Sequence, residues 1–178
     1  GGLDEISVRL FDLKTLEARP DRLPEALYGS ITFDGKGEGF YYVHRSRQDG
    51  PRARYHRIAS EMIEDREIFG EGYGPETFLR LEEIADGRLL LLGVQHGWMR
   101  NESFVLDQRS GEVYSVFEGD RAHATARYEE GHLLLTTNLD APLYRVIAIP
   151  TEGEDPSRWS DRSRWTTWIS EQEHLLRG

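Results

Sequence analysis

Residues 31–46 read ITFDGKGEGFYYVHRS, and their reading decides the fold. β-branched and aromatic residues flank Asp34-Gly35, a dipeptide that supplies the positive φ angles of a tight reversal, so the stretch is expected to be strand, turn, strand. A related phrase stands at 81–95, LEEIADGRLLLLGVQ, around Asp86-Gly87. Another stands at 126–138, ARYEEGHLLLTTN, around Glu130-Gly131. Gly35, Gly87 and Gly131 lie 52 and 44 positions apart.

A strand-turn-strand unit recurring every ~40–50 residues has the period of a β-propeller blade. The first full unit is expected over 28–74, with strands 28–33, 39–44, 55–59 and 67–69. The second covers 75–119, with strands 78–84, 88–95, 102–107 and 113–117. The third covers 120–170, with strands 122–128, 132–137, 143–149 and 165–169. Residues 1–27 are expected to hold the outer part of an incomplete blade, with a strand at 5–13. Pro20 and Pro24 argue against any long helix or central strand across 21–25. Residues 171–178 would open a further blade. The reading is therefore all-β, a partial β-propeller of about three and a half four-stranded antiparallel blades. Rings of this kind close with ~4–8 blades. The second strand of each unit, LLLLGV in the middle one, is apolar enough to be covered on both faces. The last strands read as shorter, more charged outer edges.

Composition fits a folded chain of 178 residues, with 38% hydrophobic and 11% aromatic content. The 18 glycines and 7 prolines fall between short apolar runs, which favours strands and turns over helices. A formal charge of −10 disfavours a nucleic-acid backbone or an anionic membrane as partner. With no cysteine, disulfides, thiolate metal sites and cysteine nucleophiles are excluded. The opening GGLDEISVRL lacks a signal-peptide profile and reads as a chain cut from something larger, so the expected compartment is the cytoplasm.

Several motifs resemble one family. DGKGEGFYYVHRSRQDG at 34–50 resembles the blade hairpin of prolyl oligopeptidases. Leu143-Tyr144-Arg145 and the following VIAIPTEGEDPSRW resemble a later blade of the same proteins, and LLLLGVQHG and SFVLDQRSGEV match the blade between more loosely. The resemblance runs from about Glu25 to Trp168. It implies a serine peptidase of two parts: an α/β-hydrolase domain carrying the Ser-His-Asp triad, and a seven-bladed propeller that admits short peptides. This chain would be the middle of that propeller, a gate with no catalytic residue and no cofactor of its own. Its partners would be the hydrolase domain of the same parent chain, short proline-containing peptides and, through exposed blade edges, further copies of itself. Tyr28, near where the family presents an aromatic to its cavity, is the one candidate wall residue.

The residues agree on the chemistry. No serine has glycine at both −2 and +2, so no nucleophile elbow is present. His44 and His56 on adjacent strands, with His132, suggest a metal, but four-ligand spacing is missing and they read as surface or edge imidazoles. Glu61, Glu64, Asp65 and Glu67 read as a solvated hairpin tip rather than a glycosidase carboxylate pair. Gly70, Gly72 and Gly74 form a blade linker, because Pro75 follows them and no helix begins there. Trp98, Trp159, Trp165 and Trp168 read as packing groups, with a carbohydrate platform as the alternative. The competing function is a self-assembling, propeller-type binding module for protein or carbohydrate.

Overall fold

The computed structural model describes residues 4–98, 100–119 and 121–173. Among these, every long element is a strand and no α-helix occurs. The strands are β1 (Ile6–Phe11), β2 (Ala18–Phe33), β3 (Gly39–Ser46), β4 (Gly50–Arg57), β5 (Arg66–Phe69), β6 (Thr77–Ile84), β7 (Leu89–His96), β8 (Arg100–Asp107), β9 (Val113–Phe117), β10 (Ala124–Glu129), β11 (His132–Thr137), β12 (Arg145–Pro150) and β13 (Thr166–Ile169). They form three antiparallel sheets in chain order, β1 to β5, β6 to β9 and β10 to β13. The three glycine-centred hairpins thus belong to three separate sheets. Residues 171–173 carry no strand, and the expected opening of a further blade at 174–178 lies outside the described residues.

The chain divides into two compact units between Leu81 and Glu82, within β6. The first contains the long strand β2, which starts ten residues earlier than the sequence reading places it. Its first half pairs with β1 and its second half with β3. Pro20 and Pro24 are accommodated inside this extended segment because both fall where the register slips. Ile6 opposes Ala26 but Val8 opposes Leu23; Arg9 opposes Arg22 but Phe11 opposes Ala18. Residues of β2 left over at a bulge owe no ladder hydrogen bond, which is where proline is tolerated in a sheet. The expectation that the prolines exclude a central strand across 21–25 is corrected: β2 runs unbroken through that segment and lies between β1 and β3 in the sheet.

The first hairpin turns differently from its reading. Gly35 does not adopt positive φ; Gly37 does, at 69°. Asp34 organises the loop instead. Its Oδ1 accepts from the backbone N–H of Lys36 (3.2 Å) and of Glu38 (2.9 Å), and its Oδ2 accepts from the Tyr55 hydroxyl at 2.6 Å. The Glu130-Gly131 turn conforms, with both residues at positive φ. β4 begins at Gly50, five residues before its expected start, because Ser46 already opposes Gly50 and the reversal is confined to 47–49.

In the second unit Leu89, Leu91, Leu133, Leu135, Ile147 and Ile149 form the core with Val105, Phe117 and Trp159. Burying each large aliphatic side chain contributes about 1.5–3 kcal/mol, so this cluster holds the unit together. Leu89 through Leu92 are all buried, as the unbroken apolar run predicts. The last strands β5, β9 and β13 are short, at 4, 5 and 4 residues, but only β5 carries charged side chains.

Candidate functional site

Tyr28 sits in β2 just before a bulge at Gly29-Ser30, opposite His44. Its ring meets Tyr42 and His44 edge-on, each at 5.9 Å between centroids. Its hydroxyl donates to the Pro24 carbonyl at 2.8 Å. Burial pushes the phenol pKa up, and the nearby Arg54 charge opposes that rise. Tyr28 is therefore a neutral, anchored aromatic. It lines a cleft of about 420 Å³ together with Arg45, Ser46, Arg47, Pro75 and Asp4.

A second cleft, of about 730 Å³, opens beside the β1–β2 ribbon, with Asp21 and His56 among its lining residues. Here the structure corrects two expectations. His56 is not a surface or edge imidazole: it is buried between two carboxylates. Asp65 is not part of a solvated tip: its side chain is buried too. His56 Nδ1 lies 2.7 Å from Asp65 Oδ1 and Nε2 lies 3.2 Å from Asp21 Oδ1. The Tyr42 hydroxyl donates to Asp65 Oδ2 at 2.8 Å. Asp21 Oδ1 also accepts from the Ala59 N–H. Burial raises the Tyr42 pKa, and the hydrogen bond to Asp65 and the charge of that carboxylate raise it further. Both imidazole nitrogens are engaged by carboxylates, so neither faces a hydroxyl nucleophile. Ser60, at the rim of this cleft, donates its hydroxyl to the Arg57 carbonyl. The cluster ties β2, β3 and β4 to the turn before β5.

The histidines do not converge. His44 opposes Arg52, whereas His56 opposes Phe40. His132, in the third sheet, has Nδ1 2.9 Å from the Glu130 carbonyl and its ring against Trp168. Among the described residues no three His, Asp or Glu side chains form a metal-holding group. The tryptophans make no platform. Trp159 is in the core, and the indole N–H of Trp165 donates to the Trp159 carbonyl at 2.8 Å. Trp168 and Trp98 are exposed, Trp98 almost wholly. Residues 70–76 link β5 to β6, as read.

The family description "Prolyl oligopeptidase, N-terminal beta-propeller domain" matches residues 1–176. The chain belongs to this propeller family. A prolyl endopeptidase of Elizabethkingia miricola is 21% identical over 173 residues, which cover 90% of this chain and 24% of that protein. The fold agrees with solved relatives. One is from a structural and mechanistic study of two prolyl endopeptidases, on the role of inter-domain dynamics in catalysis and specificity (TM-score 0.82, 20% identity, 96% of this chain, 26% of that one). Another is oligopeptidase B of Leishmania major (TM-score 0.81, 17% identity, 99% of this chain, 24% of that one). The chain spans about a quarter of the length of these relatives. Each sheet corresponds to a propeller blade.

The buried Asp-His-Asp set escaped sequence reading. Asp21 lies between two prolines and Asp65 within an acidic run, contexts that point to loops and solvent. The one available signal was the period-2 pattern of β4, which places His56 on the same face as Arg54.

Proposed function

We propose that this chain is the substrate-gating propeller portion of a prolyl-oligopeptidase-like serine peptidase that cleaves short peptides on the carboxyl side of proline. Acyl transfer would be carried out by a Ser-His-Asp triad in an α/β-hydrolase domain of the same parent chain, and these blades would do no bond chemistry. They exclude folded proteins by size and admit flexible peptides. Tyr28 would stand on the wall that the peptide passes. The observation that carries this reading is the succession of three antiparallel sheets, one of five strands and two of four, in a chain matched over residues 1–176 by the peptidase propeller description. The lack of any G-x-S-x-G segment in the 178 residues supports the division of labour. By the same reading the parent is cytoplasmic, and isolated copies of this chain associate through their uncovered blade edges.

The test is incubation of the purified chain and of its full-length parent with a Gly-Pro-linked chromogenic peptide, with and without a serine-reactive phosphonate. The parent is expected to release chromophore in a phosphonate-sensitive way and the chain alone to be inert. Phosphonate-sensitive cleavage by the chain alone would overturn the proposal.

A further inference from the structure

The whole chain is acidic, yet the cleft beside Tyr28 is not. Arg45 and Arg47 face a single acidic lining residue, Asp4. Neither arginine forms an ion pair among the described residues. Arg45 is held in place: its guanidinium lies 4.1 Å over the Phe78 ring, and one of its N–H groups donates to the Pro75 carbonyl at 3.1 Å. A guanidinium fixed by stacking and one hydrogen bond keeps its remaining donors in a planar fork that suits a carboxylate, and it loses little further freedom on binding. Arg47 is exposed and adds a second positive charge at the tip of the β3–β4 turn. The Ser46 hydroxyl is committed to that turn, accepting from the Gln48 and Asp49 N–H groups and donating to Asp49 Oδ2 at 3.2 Å, so the two arginines are the available side-chain donors.

Distance decides between this local charge and the global one. At physiological salt the screening length is ~8 Å, so a group within the cleft feels the two arginines, set against Asp4 in the lining and Asp49 beside Ser46, more than charges elsewhere on the acidic surface. Tyr28 supplies an apolar wall with a polar tip beside them, a combination that suits a peptide end.

We propose that this cleft binds the C-terminal carboxylate of a short peptide between Arg45 and Arg47, against the ring of Tyr28. The identity of the ligand as a peptide rests on the gating function proposed above; the anionic character of the site does not. The proposal makes the cleft a device that favours peptides with a free C-terminus over internal stretches of a longer chain.

The experiment is isothermal titration of the 178-residue chain with N-acetyl-Gly-Pro-Ala as the free acid, with its C-terminal amide, and with inorganic phosphate. The free acid is expected to bind at least ~10-fold more tightly than the amide. Arg47→Gln is expected to reduce that preference, with Arg45 retaining part of it, and raised salt to weaken the acid alone. Arg47 is exposed, so its replacement leaves the fold intact, which thermal unfolding of the variant verifies. Equal affinity for acid and amide, binding of neither, or a preference undiminished by Arg47→Gln would each overturn the site. Tighter binding of phosphate than of the peptide acid would overturn its assignment to peptides. Any of these results leaves the gating function standing, because none of them measures cleavage or the exclusion of folded proteins.

Discussion

His56 Nδ1 lies 2.7 Å from Asp65 Oδ1, with the two side chains 2% and 0% exposed. The imidazole is thus sealed between two carboxylates, and its removal would leave Asp65 only the Tyr42 hydroxyl and Asp21 only the Ala59 N–H among the hydrogen bonds described. Breaking a buried ionic set by deleting one member costs about 3–5 kcal/mol, well above the worth of a surface pair. His56→Ala is expected to lower the unfolding free energy by about that amount in urea titration. A loss under ~1 kcal/mol would show the cluster to be energetically neutral.

Asp21 sets an acid limit on stability. Burial alone pushes its pKa up, but the Ala59 N–H and then the His56 hydrogen bond and charge more than offset this, and the net direction is down. A carboxylate whose folded pKa is depressed stabilises the protein above its unfolded value of ~3.9, and that contribution is lost as pH falls through the folded value. Wild-type stability should therefore decline from about pH 4 downward. Asp21→Asn should be less stable at neutral pH and show a flatter acid limb. Parallel acid limbs for the two proteins would assign the acid sensitivity to other carboxylates.

Two outer turns share one design. Asp12 Oδ1 accepts from the N–H groups of Lys14 and Thr15, and Asp107 Oδ1 accepts from those of Arg109 and Ser110. Each turn then closes through a residue at positive φ, Leu16 at 57° in the first and Gly111 at 75° in the second. Leu16 is 76% exposed, so it is strained without being well packed. Leu16→Gly should stabilise by about 1 kcal/mol, raising Tm by ~2–4 °C, and Gly111→Ala should do the reverse. A fall in Tm for Leu16→Gly would mean that the side chain is covered in solution.

The β1–β2 ribbon leaves Ile6, Phe11, Leu13 and Leu16 exposed, and β13 leaves Trp168 and Ile169 exposed. Uncovered apolar side chains near strand edges drive association. Light scattering on the purified chain should give a mass above that of a monomer, rising with concentration. A constant monomer mass at high concentration would refute association through these edges.

The repeat was legible because its signals are local. Turn residues and period-2 alternation located β6 to β13 to within two residues, and the covered run Leu89–Leu92 announced itself by composition. What escaped was set by partners far along the chain. The first half of β2 is a strand because β1 pairs with it through bulges that absorb Pro20 and Pro24, and neither proline reveals that partner. His56 meets Asp21, 35 positions away, so the pattern around His56 shows an ordinary alternating strand. The first turn relies on Asp34 and Gly37 rather than Gly35, since DGKGEG offers three glycines and the choice depends on the side-chain hydrogen bonds. The arginine-lined cleft joins β2, the β3–β4 turn and the β5–β6 linker, so its positive character was hidden in an acidic total.

The central claim is that these blades restrict what reaches a catalytic domain in the parent enzyme. The most direct measurement compares cleavage by that full-length enzyme of one Gly-Pro sequence presented as a free short peptide and as an accessible loop of a folded domain. The account predicts rapid cleavage of the peptide and none of the folded protein until that protein is unfolded and fragmented. Comparable rates on both substrates would contradict it.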